Sequence, residues 1–98
     1  MPPLLKNIGT WGRLHYDFLY RNQRSVINAM RLKGTLQAYL EQFDADAQDS
    51  FEKLVKRTAE VENVTEELKA SDQMEWLRLM NNIRNRCEEY ILSEYVYQ

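Results

Sequence analysis

Thr65–Gln98 reads TEELKASDQMEWLRLMNNIRNRCEEYILSEYVYQ, and this stretch decides the fold. At 100° per residue, Trp76, Met80, Ile83, Cys87 and Ile91 fall on one line. Leu79 and Tyr90 lie on one flank of it and Leu77 on the other. Asn81, Asn82, Asn85, Glu88 and Glu89 fall opposite. No Gly or Pro interrupts the run, and the apolar positions do not alternate as a strand requires. Asp72 is placed to cap the helix, with Glu75 three residues on in a capping-box position. The spacing predicts one long amphipathic helix from Asp72 to Tyr95.

Working back from it, Thr65 is placed to cap a short turn over Glu66–Ala70, and Asn63 to end the helix before it. That helix is predicted over Thr35–Val61. Leu36, Leu40, Phe43, Ala47, Phe51, Leu54, Thr58 and Val61 form a continuous stripe, with Tyr39 beside it. Gly34 marks the end of a shorter helix, Ser25–Lys33, because a left-handed C′ position favours Gly. Val26, Ile27 and Met30 are its apolar side. Asn22–Arg24 reads as a turn. A first helix, Trp11–Arg21, is capped by Thr10 and shows Trp11, Leu14 and Phe18 on one face, with His15 and Leu19 alongside. Pro2 and Pro3 make residues 1–9 an irregular arm that Leu4, Leu5 and Ile8 dock.

These elements predict an all-α fold: a small helical bundle in which two short N-terminal helices pack on a long antiparallel helical hairpin. One domain, 1–98, is expected, divided into the arm 1–9, a two-helix head 10–34 and the hairpin 35–98. A core built on two long helices is thin, so a homodimer is expected. Leu77, Tyr90, Tyr95 and Tyr97 are the candidates for surface left over for a partner.

Composition narrows the function class. With 44% hydrophobic and 29% charged residues the chain is that of a folded domain. A single Cys excludes an intrachain disulfide and fits a reducing compartment. No stretch reaches the roughly 18 apolar residues of a membrane span. The start, MPPLLKNIG, lacks the pattern of a secretory signal. A cytoplasmic protein is expected.

Charge is unevenly spread. Residues 1–34 hold six Lys/Arg and one Asp, a net +5, whereas residues 35–75 hold four Lys/Arg and eleven Asp/Glu, a net −7. The basic head offers Arg13, Arg21, Arg24, Arg31 and Lys33 as phosphate contacts, with Asn28 beside them. Two short helices with a turn of about three residues between them suggest a helix-turn-helix, with Arg24, Ser25, Asn28 and Arg31 on the exposed face of its second helix. Tyr16 and Tyr20 lie with Arg13 on the outer side of the first helix, placed to meet phosphate or to stack. The acidic middle offers Asp44, Asp46, Asp49 and Glu52 as a face for a protein partner.

No catalytic or metal-binding pattern emerges, and no cofactor is expected. His15 and Cys87 are single residues on apolar faces, where a His and a thiol are ordinarily structural. The run Asp44–Asp49, DADAQD, opens like a calcium loop. It then places Asp49 where the turn needs Gly, and Val55 where the loop needs Glu. GxxxxGK[ST], GxGxxG and HExxH are all absent, and an enzyme is not expected.

The block QMEWLRLMNNIRNRCEEYILSEYVYQ, Gln73–Gln98, resembles the closing pattern of the TnpV family of small transposon-encoded proteins. NVTEELKA at Asn63–Ala70, MRLKGTLQAYL at Met30–Leu40 and GTWGRLHYDFLYRN at Gly9–Asn22 are similar to further family segments. Cys87 stands where the family commonly has Ala, and the family's usual segment ahead of the Gly9–Gly12 motif is nearly absent. The resemblance implies carriage on a bacterial mobile element and an accessory role near DNA, of the excisionase kind, at the duplex ends of the element. A recombinase or a host protein is the implied protein partner. The resemblance supplies no active-site residue.

Overall fold

The computed structural model describes residues 8–97. Helix α1 spans Thr10–Asn22, α2 Arg24–Lys33, α3 Leu36–Val61, α4 Glu66–Ser71 and α5 Gln73–Ile91. The chain runs on from α5 into a π-helical turn, Leu92–Val96. No strand occurs among the described residues, and the fold is all-α. Leu4 and Leu5 of the expected arm lie outside the described residues, while Ile8 is buried against Leu19, Ile27, Leu36 and Leu40.

The long helices α3 and α5 are antiparallel. Glu62 meets Arg86, with Oε1 and Nη2 2.8 Å apart. Thr58 meets Cys87, with Oγ1 and Sγ 3.8 Å apart. Ala47 shares a cluster with Ile91. Helix α3 alone is about 39 Å long at 1.5 Å per residue. The core therefore forms a line of three clusters along the hairpin. At one end α1 and α2 close over Leu36 and Leu40. In the middle Trp11 packs on Ala47, Ile91 and Val96. At the far end Val55, Val64, Ile83 and Cys87 meet.

Local chemistry sets most of the boundaries. Gly34 ends α2 at φ 73°, in the left-handed region. Asn63 turns the chain after α3 at φ 58°, a conformation Asn tolerates better than most residues. Thr65 caps α4 through the Leu68 N–H at 3.2 Å. Asp72 caps α5 through the Glu75 N–H at 3.2 Å. The capping box is not reciprocal, because the Glu75 carboxylate turns instead to Arg78.

Four expectations change. Thr10 does not cap α1: it is the first helical residue, and Gly9 before it offers no side-chain acceptor. Asp44 of α3 takes that role, accepting the Gly12 N–H at 2.9 Å. The buried line of α3 shifts at its end: Val61 is 76% exposed, while Val55 and Val64 are buried. Helix α3 stops at Val61, and the turn at Asn63 brings Val64 back into the core in its place. On α1 the buried line runs through Trp11, His15 and Leu19, with Leu14 and Phe18 only half-buried. Finally, α5 ends at Ile91 rather than near Tyr95. The Tyr97 N–H bonds to the Leu92 carbonyl five residues back, at 2.9 Å. That π-helical register buries Val96 in the cluster with Trp11, with Tyr95 half-buried at its edge.

Candidate nucleic-acid interface

The head is built on α1. Its inner face is anchored by His15, which is 3% exposed. One ring nitrogen, Nδ1, lies 2.8 Å from the Val96 carbonyl oxygen. A carbonyl can only accept, so Nδ1 carries the proton and donates it. Nε2 is then left to accept the Tyr39 hydroxyl at 2.8 Å. The ring also stacks on Phe43, centroids 3.8 Å apart and planes 6° from parallel. Burial pushes the imidazole below its usual value of 6.5, with the Val96 hydrogen bond opposing. His15 thus ties α1 to α3 and to the C-terminal turn at once.

The outer face carries the charge. Tyr16 and Tyr20, one turn apart on α1, stack with centroids 6.0 Å apart. From α2 the Arg24 guanidinium lies 4.2 Å over the Tyr20 ring, and its Nε donates to the Tyr20 carbonyl at 3.4 Å. Arg31 lies 5.9 Å over the Tyr16 ring and donates Nη2 to the Tyr16 hydroxyl. Along the α1–α2 seam the order is therefore Arg24, Tyr20, Tyr16, Arg31, a stacked tyrosine pair with a guanidinium against each outer ring. Arg24 and Arg31 are seven residues apart, and Asn28 lies between them on the same exposed side of α2. Arg13, Arg21 and Lys33 extend the exposed basic surface to either side.

The connection between α1 and α2 is the single residue Gln23. It is shorter than the 3–4-residue turn of a helix-turn-helix, and α2 is no separate recognition helix, since its two arginines fold back onto α1. The ion pairs among the described residues are Lys53–Asp49, Arg78–Glu75 and Arg86–Glu62. None involves Arg13, Arg21, Arg24, Arg31 or Lys33. Among the described residues Arg24 donates a hydrogen bond only through Nε, which leaves both Nη groups for a phosphate.

The acidic surface is different. Asp44 is half-buried and bonded to Gly12. Asp46 accepts from Gln42 at 2.8 Å, Asp49 pairs with Lys53 at 2.9 Å, and Glu52 accepts from Gln48 at 3.0 Å. Cys87 is buried in the far cluster, against Val55 and Ile83, whereas His15 is bonded near the middle one. Among the described residues no three His, Cys, Asp or Glu side chains are grouped to hold a metal. No helix among them is long and apolar enough to cross a membrane.

Two features were missed in the sequence. The i, i+4 series Tyr16, Tyr20, Arg24 was in view as separate residues, and its spacing was the signal that they form one ladder. The pairing of His15 with Val96, 81 positions away, had no local signal.

The match to known proteins covers nearly the whole of this structure. The family model for the transposon-encoded protein TnpV matches residues 2–96. The chain belongs to the TnpV family. No curated protein and no solved structure matches it. Family membership identifies a transposon-encoded protein, and all the segments that carried the sequence resemblance among the described residues lie in the five helices and their turns.

Proposed function

We propose that this chain is a non-enzymatic accessory protein of a mobile genetic element. It acts in the cytoplasm and contacts duplex DNA at the element ends through the outer face of α1 and α2, in the manner of an excisionase. The observation behind this reading is that α1 and α2 carry Arg13, Arg21, Arg24 and Lys33 exposed and Arg31 half-buried, with Asp17 as their single acid, and that none of the five forms an ion pair among the described residues. A basic surface left uncompensated attracts phosphate and releases counterions on binding.

The short α1–α2 connection and the Arg–Tyr ladder favour backbone contact over reading of base edges. Phosphate contacts position a protein without specifying sequence. Affinity is then expected to depend strongly on salt and weakly on base composition, with direction of recombination set through a recombinase that supplies the specificity.

The alternative is an adaptor or inhibitor of a host or rival-element protein, acting through Asp44, Asp46, Asp49 and Glu52. It has less support, because Asp44 is engaged at the start of α1 and the other three have neighbours on α3.

The test is charge reversal in two sets. Arg24→Glu with Arg31→Glu removes the ladder cations; Arg13→Glu with Arg21→Glu changes two exposed residues of α1. Each set is expected to weaken duplex binding at least about tenfold while helical circular dichroism is retained. Undiminished binding by both would place the DNA surface elsewhere.

A further inference from the structure

Helix α1 lies along one flank of α3 and reaches the other only where His15 meets the Tyr39 hydroxyl. On the first flank Asp44 bonds Gly12 and Gln48 accepts the Trp11 indole N–H at 2.8 Å. At 100° per residue, Tyr39, Gln42, Asp46, Ser50, Lys53 and Arg57 fall on the opposite flank in steps of three and four. No element among the described residues lies over this line. Two depressions lie along it, one beside Tyr39, Phe43 and Tyr95, the other beside Leu54 and Tyr90.

The floor is aromatic, and at the Tyr39 end it is held in place. Tyr39 is 40% exposed and Tyr90 56%. The Tyr39 hydroxyl is held by His15. Phe43 is stacked between His15 at 3.8 Å and Tyr95 at 4.8 Å. An exposed tyrosine already held as Tyr39 is loses little entropy on contact, which suits it to anchor an interface.

We infer that this face seats a second copy of the same chain, with α3 packed antiparallel on its twin about a twofold axis near Ser50. The argument is the charge order along the strip. Asp46 lies on one side of Ser50, and Lys53 and Arg57 lie on the other, with Glu60 beyond them at the end of the helix. A twofold interface must be complementary to itself. Laid antiparallel, the strip sets Asp46 of each copy beside Lys53 and Arg57 of the other; laid parallel, it sets like charges together. Ser50 at the midpoint is small and uncharged, so the two helices can approach to the usual 8–10 Å. The Asp49–Lys53 pair on the same helix is largely exposed, its side chains 61% and 76%, so it is weak and yields readily to a partner's charge. The surface is separate from the Arg24–Arg31 face, so the two assignments stand or fall independently.

Sedimentation velocity on the full chain, from low to high micromolar, is the test. The wild type is expected to dimerise. Asp46→Lys alone, and Lys53→Glu with Arg57→Glu, are each expected to raise the dimer dissociation constant at least about tenfold through like-charge contact. Combining all three is expected to return it to within about threefold of wild type, because the charge order is simply inverted. All the changed residues are exposed, so circular dichroism should not move. A wild type that is monomeric throughout overturns the inference. So do reversals without effect, or a triple variant no better than its parts.

Discussion

His15 is the only His in the chain, so its titration can be read without interference from another imidazole. The folded structure holds it neutral, with Nδ1–H donated to Val96 and Nε2 accepting from Tyr39. Burial lowers its folded pKa below 6.5. The unfolded chain therefore binds a proton at higher pH than the folded chain does. Stability is fully present above pH 6.5 and falls as pH drops from there towards the folded value. If the folded ring stayed neutral throughout, linkage sets the loss between pH 7.5 and 5.5 at about 1.4 kcal/mol. That is the ceiling, and the direction of the loss is the one that burial of the ring sets. Glu62 and Glu75, whose carboxyls are held below their usual range by hydrogen bonds from Arg86 and Arg78, lose their contribution only below about pH 4.5 and leave this window clean. The assay is urea unfolding followed by circular dichroism at pH 7.5, 6.5 and 5.5, for wild type and His15→Gln. The reasoning fails if wild-type stability is flat or rises on acidification, or if His15→Gln shows the same slope.

Three further outcomes follow from the packing. Gly12→Ala normally gains about 1 kcal/mol of helix propensity; here the new Cβ meets the Ile8 side chain and comes 3.1 Å from the Leu40 carbonyl oxygen. Overpacking of about 1–3 kcal/mol wins, so the variant should melt lower, where a gain in Tm would contradict the close approach of α1 to α3. Asp44→Ala should cost about 0.5–2 kcal/mol as a lost cap, and Asp44→Asn, which keeps an acceptor, should cost clearly less by the same thermal melt. Ile27 is the one buried side chain of α2 and is 0% exposed. Ile27→Ala should cost about 2–5 kcal/mol and speed amide exchange in α2 first; uniform exchange along the chain would refute a separately docked α2.

The hairpin was legible in the sequence because its signal is periodic. The line Trp76, Met80, Ile83, Cys87, Ile91 is the side of α5 that packs, and Gly34, Asn63, Thr65 and Asp72 act where their chemistry placed them. Periodicity failed at an end: Val61 continues the stripe on paper, but the helix stops there and Val64 fills the core after the turn. It also failed wherever a residue's role depends on a distant partner. Asp44 was grouped with an acidic surface because capping rules look within a few residues, while its partner Gly12 is 32 positions back. His15 was left beside the apolar face for the same reason. The π-helical turn that aligns Val96 with Ile91 has no composition of its own to read. In the candidate interface, Arg13, Arg21, Arg24, Asn28 and Lys33 are exposed and Arg31 is half-buried; the contacts of Arg24 and Arg31 with Tyr20 and Tyr16, and the one-residue connection at Gln23, depend on how α2 folds back on α1 and, beyond the i, i+4 spacing, had no local signal.

The central claim is that the uncompensated basic head binds duplex DNA. The most direct measurement is fluorescence anisotropy of a labelled duplex across a series of salt concentrations. If the five basic residues each neutralise one phosphate, log affinity should fall linearly with log salt at a slope near −4.5, and no shallower than about −3. The Arg24→Glu, Arg31→Glu variant should lower both the affinity and the slope. An absence of binding at low salt, or binding whose affinity ignores salt, would contradict the account and return the head to an ordinary solvated surface.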